Sequence, residues 1–237
     1  MKMARSAENA LSDVDSQNLS QIAQSVRGTF QSVEGMTQAF IREAIMQGIF
    51  PPGQRLNLDA IAESLGVSRM PVRASLRQLE NEGLVQINHH RGATVSVLRP
   101  EEINEIYELR ILLETYLLKL AIPALDDALV DQLETIAHEL EDTTELGKRL
   151  ELRFQLYEKL YQRAERPRAL AQVGMLRGSV GRYLLLQRVD EQHSHEELIA
   201  QLRARDSESA IAWLVIHLRK VSQKLQDIVA REEMATA

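Results

Sequence analysis

Residues 51–97 read PPGQRLNLDAIAESLGVSRMPVRASLRQLENEGLVQINHHRGATVSV, and the punctuation of this stretch decides the fold. Pro51-Pro52-Gly53 marks a turn. Leu58, Ile61, Ala62 and Leu65 share one face of a short helix, which Gly66 stops because a residue without Cβ tolerates the left-handed C-terminal conformation. Ser68 stands where an N-cap belongs for a second helix over about 69–82. Pro71 falls in that helix's first turn, where the missing N–H has no intrahelical partner to lose. Val72, Leu76 and Leu79 give the helix an apolar side, and Gly83 ends it. Leu84–Ile87 and Ala93–Leu98 then read as short strands around His89-His90-Arg91-Gly92, a hairpin with glycine near its tip. An earlier helix over Met36–Gln47, with Phe40, Ile41, Ala44 and Ile45 on one face, completes three helices. Helix, tight turn, helix and hairpin in that order predict a winged helix-turn-helix.

Arg69, Arg73 and Arg77 are spaced i, i+4, i+8 and so line one side of the second helix, opposite Val72, Leu76 and Leu79. A planar guanidinium matches guanine O6 and N7 bidentately, and a helix fits the major groove of duplex DNA. The helix start at Ser68–Met70 would aim free N–H groups at a phosphate. In the wing, His90, Arg91 and Gly92 would lay a cation and bare backbone along the neighbouring backbone or minor groove. A single arginine on a surface helix is usually only solvated. Three in register, after a tight turn and before a glycine-tipped hairpin, favour DNA.

Outward from this stretch, residues 1–33 are polar, rich in Ser, Gln, Asn and Asp, and read as a flexible arm with at most a helical turn near Ile22–Val26. Residues 34–99 form the DNA-binding domain. From Pro100 to Glu233 only helical patterning appears, over roughly 101–121, 126–144, 147–164, 167–189, 192–204 and 206–231, with caps at Asp126, Asp190 and Asp206. The fold class is therefore mainly α: a winged helix-turn-helix followed by an all-α bundle of about six helices over 100–233.

Composition sets bounds. The formal charge of −6 argues against a nucleic-acid binder until its distribution is read. Gly35–Val97 carries six Arg against five acids, whereas the residues from Glu101 onward carry 18 basic against 25 acidic side chains. The acidity sits in the second half, and half of the first domain's arginines sit on the reading helix. There is no cysteine, which excludes disulfides and thiolate metal sites. No apolar run reaches the roughly 18–20 residues needed to span a bilayer, and residues 1–33 carry no secretory signal pattern. A cytoplasmic chain without membrane partners is expected.

The first domain resembles the winged-helix domain of GntR-family transcription regulators. The matching residues are Pro51, Pro52, Gly53, Leu56, Ile61, Ala62, the run Leu65 to Arg69, Pro71-Val72-Arg73, Leu76, Leu79, Gly83-Leu84-Val85 and Arg91-Gly92. The resemblance implies that Arg69 and Arg73 contact operator bases or adjacent phosphates, with Pro71 inside the same motif. It also makes Ser68 and Arg55 phosphate contacts, and it takes the wing tip at His90, Arg91 and Gly92 to the groove. Met70 stands where most relatives have threonine. Asp59 stands where some have arginine, a charge expected to repel the DNA backbone.

The helical half resembles the FCD effector domain of the FadR-type branch of that family. Tyr107-Glu108-Leu109-Arg110 with Glu114 look like its opening helix, and His195-Glu196-Glu197-Leu198, Asp206, Ala210 and His217-Leu218 look like its closing pair. This implies a small-molecule effector, often an organic acid, and a homodimer. Many FCD domains hold a divalent metal (zinc, manganese or nickel) through one Asp and three His. The spacing of His195 and His217 agrees with two of those ligands, but the other two positions fall at Arg153 and Tyr157, which are not usual ligands. His193 and Glu158 are candidate substitutes that no spacing compels, and two histidines satisfied by hydrogen bonds fit better than a half-built metal site. Arg153 instead suggests a direct contact to an anionic ligand, helped by Tyr157, His195 and His217, against the plainer reading of an outward arginine. Arg110 is a further anion candidate, although Arg110 and Glu114 also make an ordinary i, i+4 ion pair.

No nucleotide-binding glycine loop, nucleophile elbow or H-E-x-x-H pattern is present, so no catalytic residue is assigned. The alternatives are a metal-dependent helical enzyme or an interaction protein with a vestigial winged helix. The expected function is a ligand-responsive regulator, a repressor of a metabolic operon, that binds a pseudo-palindromic operator as a homodimer.

Overall fold

The computed structural model describes residues 19, 21–24, 32–88, 92–186 and 194–236. The chain divides between Val97 and Leu98 into two compact units.

In the first unit, helix α1 (Val33–Met46) is capped by Ser32, whose side chain accepts from Gly35 N. Strand β1 (Arg55–Leu56), helix α2 (Leu58–Leu65), helix α3 (Arg69–Asn81) and strands β2 (Val85–Asn88) and β3 (Gly92–Val95) follow. The sheet order is β1-β3-β2, all antiparallel, with Arg55 opposite Thr94 and Gln86 opposite Thr94 from the other side. The hairpin was legible in the sequence, but β1 was not, because two residues carry no alternation to read.

Phe40, Ile41, Ile45, Leu56, Ile61, Leu65, Val72, Leu76, Leu79 and Val85 fill the core of this unit. Two polar links fix α1 against α3: Ser75 Oγ donates to Glu34 O at 3.0 Å, and Arg42 with Gln38 engages the Glu82 carboxylate at the end of α3. Part of the segment read as an arm is corrected. Leu19, Ile22 and Ala23 are buried in the same core, because their i, i+3, i+4 spacing puts three apolar side chains on one helical face. The rest of residues 1–31, and the wing-tip residues His89, His90 and Arg91, lie outside the described residues.

The second unit contains six α-helices among its described residues: α4 (Pro100–Ala121), α5 (Asp127–Asp142), α6 (Leu146–Gln162), α7 (Pro167–Leu186), α8 (Glu196–Arg203) and α9 (Ser207–Thr236), with a 3-10 turn at Ile122–Ala124. The caps lie where short acidic side chains predicted them. Leu129 N donates to Asp126 Oδ1 at 2.7 Å, and Ser209 N to Asp206 Oδ1 at 3.0 Å. Asp190 and His193 lie outside the described residues. Helix α4 packs along α9 and against α6 and α7, α5 packs against α6 and α8, and Ile103, Leu117, Leu118, Leu133, Leu156, Leu198, Leu214 and Leu225 make the core between them. The fold is mainly helical, with a small winged sheet in the first unit and a helical bundle in the second.

Candidate nucleic-acid interface and ligand cavity

The tight turn between α2 and α3 sets which face of α3 is exposed. Gly66 adopts φ +67°, which costs a residue with Cβ roughly 1–2 kcal/mol, and Val67 N returns to Ala62 O at 2.9 Å. Ser68 follows in extended conformation as the N-cap of α3, and its hydroxyl makes no capping hydrogen bond, so it is left to point outward. On α3, Val72, Ser75, Leu76 and Leu79 are buried while Arg69, Met70, Arg73 and Arg77 are exposed, Met70 at 72%. The arginine register read from the sequence is therefore a solvent-facing cationic side of the helix, with Pro71 half-buried in its first turn.

Two further candidates sit at the base of the wing. Gly92 has φ +77°, and a Cβ placed there would lie 3.7 Å from both Nε and Nη2 of Arg55, so the bare glycine backbone and the Arg55 guanidinium share one spot. Asp59 does not stand alone as a repulsive charge. It lies in the first turn of α2, where the Asn57 side chain caps its N–H at 3.0 Å and the helix dipole favours an acid, and its carboxylate ion-pairs with Nε of Arg69.

The second unit places its polar groups inside. Glu114 on α4 is fully buried. Its Oε1 accepts from Arg110 Nε at 2.8 Å and from Arg177 Nε at 3.3 Å, and its Oε2 accepts from the Tyr161 hydroxyl at 2.9 Å and from Arg177 Nη2. Burial alone would push this carboxyl up, yet the Arg177 and Arg110 charges and their hydrogen bonds hold it at about 2. Tyr161 is pushed well above its ordinary value by burial and by the Glu114 charge. Burial opposes the charge on Arg110, and Glu114 more than restores it.

From this cluster a stack of rings runs through the bundle. The Arg177 guanidinium carbon lies 4.0 Å from the centroid of Tyr157, which lies 6.0 Å from His195. His195 stands 5.8 Å from His217, on whose ring Trp213 stacks at 4.9 Å and 8°. Tyr157, His195 and His217, grouped as one candidate site in the sequence, lie next to one another. Arg110 joins them through Glu114, which Arg177 and Tyr161 also engage beside Tyr157. Arg153 lies one helical turn before Tyr157 on α6, with its Nε shielded from solvent.

Sequence reasoning missed Arg177 and Trp213. A signal for Arg177 existed: with Val173, Val180 and Leu184 it occupies the buried stripe of α7, where an arginine demands a partner. Beside it, a cavity of about 410 Å³ opens between α6 and α7, lined by Phe154, Tyr157, Tyr161, Leu170, Gly174 and Arg177.

A divalent metal does not fit this donor set. The two imidazoles have a phenol and an indole as ring neighbours, the Glu141 carboxylate beside His195 is taken by its backbone N–H, and the Arg177 guanidinium lies beyond, over Tyr157. Among the described residues no group of three or more His, Asp or Glu converges.

Comparison with known proteins agrees with both units. Residues 35–95 match the model for bacterial regulatory proteins of the gntR family, and residues 105–220 match the FCD domain. The chain belongs to the GntR family. An uncharacterised HTH-type transcriptional regulator of Bacillus subtilis, YdhC, is 36% identical to this GntR-family chain over 103 residues, 44% of the chain and 45% of the relative. The gluconate operon transcriptional repressor of Bacillus licheniformis is 24% identical over 208 residues, 82% of the chain and 85% of the repressor. The chain spans 45% and 43% of the lengths of two curated relatives that it matches. A crystal structure of a GntR protein from Rhodococcus superposes with a TM-score of 0.70 at 22% identity, over 81% of this chain and 96% of that one, a likeness of fold. The family is one of DNA-binding transcriptional regulators rather than of enzymes. No helix among the described residues is long and apolar enough to cross a membrane.

Proposed function

We propose that this chain is a ligand-responsive repressor of a metabolic operon, which binds a pseudo-palindromic operator as a homodimer in the cytoplasm. The observation that carries the reading is the exposed row Arg69, Arg73 and Arg77 on α3, directly after the left-handed turn at Gly66. Arg69 and Arg73 read base edges in the major groove. Ser68 and the start of α3, with Pro71 holding its first turn, take a phosphate, and Arg55 takes a second beside Gly92. Contacts of His90 and Arg91 with the neighbouring groove complete the proposed DNA-binding set.

The effector is a small anion with an apolar body, seated in the cavity between α6 and α7. Its volume falls in the range of about 300–1,000 Å³ usual for small-molecule sites. Two guanidinium groups, Arg110 and Arg177, face one carboxylate, Glu114, so the cluster carries one positive charge that an anion balances. Apart from Glu158, which is exposed to solvent, the walls are otherwise aromatic and aliphatic, with Tyr157 between the cavity and His195, and His217 behind it. Arg153, one helical turn before Tyr157 on α6 but not among the lining residues, would add positive charge from a greater distance. The anion is held directly, without a metal.

Regulation follows by linkage. An effector that binds one arrangement of the dimer more tightly than another shifts the population between them, and operator affinity shifts with it. Selection of duplexes from a random library, followed by titration of the selected duplex with a panel of carboxylates, tests the whole reading. Release of DNA by at least one carboxylate supports it. A protein that selects no sequence refutes the operator part, and one that selects a sequence but answers to no anion refutes the effector part.

A further inference from the structure

Asp59 places a negative charge beside arginines that would approach a polyanion, and its stability value does not account for it. The Asp59 and Arg69 side chains are 59% and 64% exposed, and an ion pair that open to water adds little to folding. The geometry of the pair is more informative than its energy. The carboxylate takes Nε, on the flank of the guanidinium. Bidentate reading of guanine needs two parallel N–H donors aimed at O6 and N7, which a guanidinium offers either side-on through Nε and one Nη or end-on through both Nη atoms. With Nε engaged, the end-on pair remains.

The partners are also held by short, fixed backbone. Asp59 sits in the capped first turn of α2, and Arg69 is the first residue of α3, with the left-handed Gly66 turn between the helices. We propose that Asp59 is a positioning residue that presents the end-on fork of Arg69 to a guanine in the major groove. The inference rests on α3 being the reading helix.

Two consequences follow from the one contact. An arginine already oriented loses less rotamer freedom when it binds, which strengthens its hold on the correct base. The adjacent carboxylate repels phosphates, so Arg69 stops acting as a cation indifferent to sequence. Removing Asp59 therefore has opposite effects on two kinds of DNA: arbitrary duplex is bound more tightly, and the chosen guanine is discriminated less.

The test uses the full chain as wild type, Asp59→Ala, Asp59→Glu and Arg69→Ala. Duplexes are selected from a random-sequence library with the wild type. Each protein is then titrated, at one salt concentration, with the selected duplex, with single-base variants of it, and with an arbitrary duplex. The expected result is that Arg69→Ala abolishes preference at one guanine. Asp59→Ala should lower preference at that same guanine by roughly tenfold, the order of one bidentate contact, while gaining affinity for arbitrary duplex. Asp59→Glu restores most of the preference. Equal gains for Asp59→Ala on every duplex, with discrimination intact, would reduce Asp59 to a simple charge and overturn the proposal, as would a change at a position that Arg69→Ala leaves alone. If Arg69→Ala itself alters nothing, the reading of α3 fails first.

Discussion

Arg177 grips Glu114 with both Nε and Nη2, so that α7 is tied to α4 through a charge pair from which water is excluded. Arg110 and the Tyr161 hydroxyl occupy the remaining lone pairs of the same carboxylate, which brings α6 into the joint. A satisfied buried carboxylate of this kind stabilises little relative to an apolar core, but removing one partner strands a charge.

Glu114→Gln is therefore expected to cost about 3–5 kcal/mol, because two guanidinium groups would then share a neutral amide. Urea unfolding of the full chain, followed by circular dichroism, measures it. Arg203→Ala, which removes two surface pairs to Asp131 and Glu134, should change the midpoint far less.

The same carboxylate sets an acid limit. Its value in the folded chain, about 2, lies below the ordinary 4.5, so its contribution is fully present above about 4.5 and is lost as pH falls toward 2. Stability measured from pH 5 to pH 2 should fall more steeply in the wild type than in Glu114→Gln. Parallel curves would show that the carboxylate does not titrate with folding.

Zinc, manganese and nickel should each give no tight, stoichiometric heat in isothermal titration against the purified chain. The ring neighbours of His195 and His217 are Tyr157 and Trp213, and the Glu141 carboxylate beside His195 is taken by its backbone N–H. A one-to-one transition at micromolar metal would contradict that account.

Gly174 gives a way to close the cavity without disturbing the core. It lies mid-helix in α7 and lines the cavity, and a Cβ there would meet nothing within 4 Å. Gly174→Ala should stabilise the chain by roughly 0.5–1 kcal/mol through helix propensity. Gly174→Leu should keep the fold, fill the cavity and abolish the thermal shift given by any carboxylate that raises the wild-type melting temperature. A persistent shift in Gly174→Leu would place the effector elsewhere.

The parts of the molecule that sequence made legible are those governed by local periodicity. The apolar face of α3 with its opposing arginines, the Gly66 stop and the Asp126 and Asp206 caps depend on neighbours within a few residues, and all are where the pattern put them. What long-range pairing decides was less legible. Strand β1 exists only because β3 lies beside it. Arg177 reads as one more helix cation until Glu114, 63 residues earlier in the chain, is found against it. The Asp59–Arg69 pair was not legible for the same reason: its two members lie on successive helices. Leu19, Ile22 and Ala23 were hidden by polar surroundings, although their spacing alone marks a buried face.

The central claim is that α3 reads duplex DNA through its exposed arginines. Fluorescence anisotropy on a duplex selected by the wild-type chain tests it most directly, with Arg69→Ala and Arg73→Ala compared at one salt concentration on selected and arbitrary DNA. Each substitution is expected to cost about 1–3 kcal/mol on the selected duplex and to relax specificity at one position. Affinity for the selected duplex that is unchanged in both variants would contradict the account.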